Sequence, residues 1–177
     1  FTVTVIVPPP PPVDIGDSYQ GGKVAYILQV GDFGYDVCQQ HGLIAATSDH
    51  GPYIQWYNGS LTTTGATGTS IGTGAANTTA IISSQGGTAG SYTYAAGLAR
   101  DYRGGGYSDW YLPSIDELYQ LYVNRTAIGG FGDNANWSSS EASVSSAMYQ
   151  SFNPGNNGSQ GSMGKDGQCA VRVVRSF

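Results

Sequence analysis

The sequence predicts an α+β fold, and three observations carry that. A short apolar run, Val24 to Val30, is bounded by glycines in "GGKVAYILQVGD" and reads as a buried strand. A plain strand, Ala170 to Arg175, closes the chain in "AVRVVRSF". Between them, "PSIDELYQLYVNR" opens on a helix-start signal and continues with helical spacing. Strands at both ends with helices between them place the chain in the α+β class.

Taken in order, "FTVTVIV" (1–7) alternates Thr with apolar residues and is strand material. It reads as the tail of an upstream β module or as an N-terminal strand. "PPPPP" (8–12) lacks amide donors and must be extended, a stiff spacer of roughly 15 Å. Residues 8–13 are therefore a linker, and residues 14–177 the main domain. "HGLIAATSD" (41–49) supplies a second short apolar run. The Gly-, Thr- and Ser-rich stretch 56–79 reads as an ordered loop, because small polar residues alternate there with Leu61 and Ile71. Asn77 is placed to cap a helix beginning "TTAIISSQ". Ala95, Leu98, Ala99 and Tyr102 fall on one helical face, and Gly104 to Gly106 end that helix. Ser114 and Glu117 form a capping box, and Ile115, Leu118, Leu121 and Tyr122 make the buried stripe of the helix that follows. Trp110, Tyr111, Leu112 and Trp137 are read as core.

Composition removes several classes of function. Charged residues make up 11% of the chain, the net charge is −5, and the seven Lys and Arg are scattered. Nucleic acid and anionic membrane surfaces both need clustered positive charge, so neither is an expected partner. No apolar run approaches ~18 residues, so no membrane insertion is expected. Aromatics at 12% argue against disorder. No signal peptide is read, and a chain starting at Phe1 is expected to be a fragment or a processed product.

Catalysis is not expected. His41 and His50 are read as structural and loop residues, and no nucleophile elbow accompanies the serines of "YNGS" or "WSSSE". Cys38 and Cys169 are read as free thiols, and with the two histidines they show no zinc-like spacing. No cofactor is expected, with a structural Ca²⁺ held by backbone oxygens left open.

The segments "GDSYQGGKVAYILQVGDFGYD", "HGLIAA", "GTGAANT", "GGYSDWYLPSIDEL", "IGGF", "WSSSE" and "AVRVVRSF" occur in that order. Together, from about Ile15 to the end, they resemble the Lcl C-terminal domain family, named for a collagen-like bacterial surface adhesin. The resemblance implies a C-type-lectin-like fold of the formylglycine-generating-enzyme subtype. That fold has two helices, short antiparallel sheets and much ordered loop, and the two ends of the domain pair as strands. The cysteine arrangement of the family enzyme is absent. So are the Glu-Pro-Asn, Gln-Pro-Asp and Trp-Asn-Asp motifs with which calcium-dependent lectins hold their ion, so the fold does not imply a lectin site.

The same fold serves as the variable protein of diversity-generating retroelements, in which adenine-directed mutagenesis rewrites a C-terminal segment. The matching framework here is Trp137 to Glu141, Phe152, Gly155, Lys165 and Val171 to Arg175. Between these positions stand Val144, Ser145, Ser146, Met148, Tyr149, Asn153, Asn156, Asn157, Ser159, Gln160, Ser162, Met163, Asp166 and Gln168, the candidate ligand-binding residues. Changing the adenines of an Asn codon yields Ser, Gly, Asp or Val, a mixture compatible with this one. Ser, Gly, Asn and Tyr also dominate antibody paratopes, where they combine adaptable hydrogen bonds with rigid aromatic area. Ser138, Ser139 and Ser140 suit the bonding of turn backbone. Glu141 is read as a structural acceptor, and Lys165, Arg172 and Arg175 as braces behind the face.

The expectation is a non-enzymatic, surface-displayed adhesin or receptor-binding domain whose segment 144–168 binds a protein or glycan on a host or neighbouring cell. Its expected location is extracellular, on a bacterial surface or a phage tail. Relatives on this fold form trimers, so a homotrimer is one expected assembly. Two alternatives stand beside this: a fixed-specificity glycan or glycosaminoglycan adhesin, and a structural module of a fibre or pilus.

Overall fold

The computed structural model describes residues 11–51 and 53–177. The strand expected over 1–7 and most of the proline stretch lie outside the described residues. Pro11 and Pro12 belong to neither helix nor strand.

A tight turn joins β1 (Ser18–Tyr19) to β2 (Gly22–Ile27). Gln20 (φ 42°) and Gly21 (φ 87°) both take positive φ, the two-residue geometry that matches the twist of a hairpin. Gly21 also permits a close approach, since a Cβ there would lie 2.7 Å from the Gly105 Cα. β3 (Gly42–Ala45) pairs antiparallel with β2, and a register irregularity falls between Val24 and Tyr26.

The remaining strands are β4 (Ala135–Glu141), β5 (Ser146–Ser151), β6 (Gln160–Gly164) and β7 (Val174–Ser176). The first sheet has the order β1-β2-β3-β7 and the second β4-β5-β6. Both are antiparallel. The two ends of the domain were expected to pair as strands. Instead β7 pairs with β3, in the register Leu43↔Ser176. β2 already carries β1 on one side and β3 on the other, so the closing strand cannot join β2 and takes the outer edge of β3 rather than that of the two-residue β1. The ends still meet through side chains, with the Tyr19 and Phe177 rings edge-on at 5.4 Å. On its other side β7 exchanges Val174–Tyr111 backbone bonds of 2.8 and 3.0 Å.

Four helices complete a mixed α+β fold: α1 (Gly74–Gln85), α2 (Ala95–Asp101), α3 (Ile115–Val123) and the single turn α4 (Arg125–Ile128). Asn77 does not cap α1. The helix begins three residues earlier, and Asn77 is buried within it. Its amide instead clasps Gly68, accepting from the Gly68 N–H (3.1 Å) and donating to the Gly68 carbonyl (2.6 Å). Holding the preceding loop outweighs capping at this position.

The capping box of α3 is present, with Ser114 Oγ accepting from the Glu117 N–H and Glu117 accepting from the Ser114 N–H. Glu117 reaches further, accepting from the Gly72 N–H at 2.8 Å and from Gly74. Its carboxylate is fully buried and pins the loop before α1 onto α3. Burial raises its pKa, while the backbone donors oppose the rise. The folded state therefore holds a proton at pH values where the unfolded glutamate, near 4.3, has released it. Stability is fully present below that pH and falls as pH climbs through the higher folded value. Glu117→Gln turns an NH₂ donor toward these amide donors. It is expected to cost about 2 kcal/mol and to flatten this pH slope, read by urea titrations across the acid range.

Trp110, Leu112 and Trp137 are fully buried, and Tyr111 nearly so, as expected for core. Trp56 joins them, its indole N–H donating to the Ser138 carbonyl at 2.8 Å.

Candidate ligand-binding face

The second sheet carries the candidate residues, and its foundation is polar. Ser138, Ser139 and Ser140 are fully buried. Ser138 Oγ donates to the Met148 carbonyl (2.8 Å), and Ser140 Oγ donates to the Gly68 carbonyl (2.8 Å) and accepts from the Ile115 N–H (3.1 Å). These hydroxyls fasten β4 to β5, to the loop before α1 and to the start of α3. Glu141 accepts from the Thr64 and Gly65 amides and pairs with the Lys165 ammonium at 2.5 Å. Lys165 also donates to the Thr62 carbonyl (2.9 Å) and lies over the Trp56 ring, 4.7 Å from its centre. Arg172 Nε meets Asp49 at 2.9 Å, while its other nitrogens reach the carbonyls of Ala46, Gly129 and Gly130. Arg175 forms a two-pronged pair with Asp109 (2.8 Å each) and holds that carboxyl below the usual range. Lys165 braces the second sheet directly, and Arg172 does so through Asp49, which also holds Asn136 of β4. Arg175, expected behind the face, instead lies on β7 of the first sheet and ties it to Asp109.

The segment 152–168 is more ordered than its composition indicates, because β6 lies inside it. Gln-Gly-Ser-Met-Gly has no β-branched or aromatic residue, so propensity gives no sign of a strand. Pairing with β5 supplies one, in register from Ser146↔Gly164 to Gln150↔Gln160. The side chains alternate accordingly. Ser146, Met148, Gln160 and Ser162 share one face, where Gln160 Nε2 donates to the Ile115 carbonyl at 3.3 Å. Tyr149 and Met163 share the other and pack against the core beside Trp137 and Ala147. Met163 Sδ lies 3.7 Å from the Cys169 sulfur. These two are half-buried and hold the sheet down as well as reaching its surface.

The other candidates gather at the two ends. Val144 (50% exposed) and Ser145 lie in the β4–β5 turn, where the Ser145 carbonyl accepts from the Lys165 N–H at 2.9 Å, and the Asp166 carboxylate lies over Gly164. Gln168 is exposed just before Cys169. At the far end Asn153, Asn156, Asn157 and Ser159 form the β5–β6 connection. Asn153 Oδ1 accepts from the Gly155 N–H (2.8 Å), and Asn156 Nδ2 donates to Ser151 Oγ (3.1 Å). Asn157 takes a left-handed turn at φ 50°. Gln150 is buried and was not singled out from the sequence. Its amide donates to the Gly158 carbonyl at 2.8 Å and ties this connection to β5. A hollow of about 270 Å³ adjoins this end, lined by Arg125, Thr126, Phe131, Phe152 and Pro154 among others.

His41 Nδ1 lies 3.1 Å from the Phe177 carbonyl, and His50 packs edge-on to Tyr102, where burial lowers its pKa. Both cysteines are free. Cys38 is exposed, and burial pushes the Cys169 thiol up to about 12. Among the described residues, no three His, Cys, Asp or Glu side chains are gathered to hold a metal ion, and no helix is long and apolar enough to cross a membrane. No family model matches the sequence, and no curated protein matches it.

Proposed function

We propose that this chain is a non-enzymatic, surface-displayed ligand-binding domain with a C-type-lectin-like fold, and that residues 144–168 form its binding face. One observation carries the reading, a sharp contrast along the segment. Val144, Ser145, Asn156, Asn157, Ser159, Gln160, Ser162, Asp166 and Gln168 are exposed, while Ser138 to Ser140, Lys165 and Arg172 next to them are fully buried. A braced sheet with exposed positions of small polar character suits a surface whose side chains change while its backbone does not. Diversification by a retroelement, and display on a bacterial surface or phage virion, belong to the same proposal and rest on the resemblance described above.

Sequencing the 3′ coding end from many cells of the source population tests it. Differences should concentrate at codons 144–168 while 137–141 and 171–175 stay fixed. An identical segment in every cell would favour a fixed-specificity glycan adhesin. A stability measurement checks the face itself. Val144→Asp, Asn156→Ala and Gln168→Lys should each change stability by no more than about 0.5 kcal/mol. Met163→Ala should cost about 2 kcal/mol because its side chain packs on the core. Equal losses at all four positions would make the segment structural.

A further inference from the structure

The edge of β6 is unpaired, and its chemistry specifies what fits it. At the two ends of the β5–β6 pairing, the Ser151 N–H donates to the Ser159 carbonyl and the Lys165 N–H to the Ser145 carbonyl, both at 2.9 Å. In an antiparallel ladder the bonded positions alternate. The register therefore gives the inward bonds to Gly161 and Met163, and turns the backbone groups of Gln160, Ser162 and Gly164 away from β5. The same parity explains β4, where the outward Trp137 N–H goes to the Ala170 carbonyl at 3.0 Å. β6 ends its sheet, and Gln160, Ser162 and Gly164 are all exposed. The Gly164 carbonyl accepts from the Gly167 N–H, leaving the Gln160 and Ser162 amides and carbonyls, and the Gly164 amide, directed at solvent. Folded proteins blunt such edges with lysine, proline, bulges or a covering element. Gln-Gly-Ser-Met-Gly contains neither charge nor proline, and its pairing with β5 is regular throughout.

We propose that β6 pairs antiparallel with β6 of a second copy of this chain, about a two-fold axis at Ser162. The edge is self-complementary in that arrangement. Ser162 faces Ser162 of the partner subunit, Gln160 faces Gly164 of the partner subunit, and Gly161 faces Met163 of the partner subunit. Each long side chain meets a glycine, so both strands approach without a clash on either face. The Asp166 carboxylate lies over Gly164, and the proposed register brings the amide of Gln160 of the partner subunit toward it. The two Asp166 side chains sit at opposite ends of the joint, so the like charges stay apart. An isologous contact of this kind closes at two copies. It joins the two three-stranded sheets into one of six strands and sets two candidate faces side by side.

Sedimentation equilibrium of the full chain tests this without any ligand, so its outcome is independent of the binding proposal. The unaltered chain is expected to dimerise. Ser162→Lys and Ser162→Asp each place like charges directly opposite one another. Each variant alone is expected to weaken the dimer at least tenfold, or about 1.4 kcal/mol. An equimolar mixture of the two is expected to restore a one-to-one heterodimer. Ser162→Pro removes an outward N–H, so it should weaken the dimer while circular dichroism stays that of the unaltered chain and melting matches it at concentrations too low for either to dimerise. A monomeric or trimeric chain, or a dimer indifferent to the charge variants, overturns the proposal. If the proline variant fails to fold, the charge pair still decides.

Discussion

Lys165→Met is expected to lower the melting temperature by on the order of 10 °C. The ammonium is fully buried, pairs with Glu141, and donates to the Thr62 carbonyl. Methionine fills much of the same volume but leaves a buried carboxylate without its counter-ion. Breaking a buried pair from one side costs about 3–5 kcal/mol. The Thr64 and Gly65 amides still reach Glu141, which puts the expected loss near the lower end of that range. At roughly 2–4 °C per kcal/mol for a chain of this length, the shift is readily measured by calorimetry. The double variant Lys165→Met, Glu141→Gln should lose less than the sum of the two single losses, because its two sites share one interaction. Strictly additive losses would show that the pair is not coupled.

Arg172→Lys should be nearly as damaging despite keeping the charge. The guanidinium divides its donors among Asp49 and the carbonyls of Ala46, Gly129 and Gly130, and stacks 3.8 Å from the centre of the Phe131 ring. Lysine offers three donors from one point and no planar fork. At least two of these carbonyls would lose their donor, at about 1–3 kcal/mol each. The loss should also loosen the start of β4, since Asp49 holds Asn136 at 3.1 Å and the Gly132 N–H at 3.3 Å. Hydrogen exchange should report faster opening at residues 132–137. Protection unchanged there, with global stability intact, would show that Arg172 is not what holds this corner.

How much of this was legible in the sequence depended on whether a residue's role was local. The capping box at Ser114 and Glu117 and the stripe Ile115, Leu118 and Leu121 follow from spacing within one helix, and the structure has them. Lys165 and Arg172 are readable as braces and Arg175 is not, since it serves the first sheet; the carboxylate partners of all three lie 24 to 123 positions away and cannot be paired by inspection. Asn77 was read through its local capping propensity, and a tertiary contact to Gly68 won. β6 was invisible because its residues have little preference for a strand, and only the neighbouring β5 makes it one. The exposed candidates were recognisable from residue type. That Tyr149 and Met163 face the core follows from register, which the sequence does not display.

The position of β7 bears on how the chain folds. It is the last strand in sequence, yet it completes a sheet whose other members occupy residues 18–45. Contacts of such large sequence separation make for slow folding, because loop-closure entropy is spent before the contact forms. During synthesis β3 emerges early and waits with one edge open until nearly the whole domain has followed. Val171 and Val173, whose carbonyls accept from His50 and Ala46, cannot seal that side sooner. The nascent chain thus exposes the apolar strand Gly-Leu-Ile-Ala for most of its synthesis. That interval is when a chaperone would have most to protect.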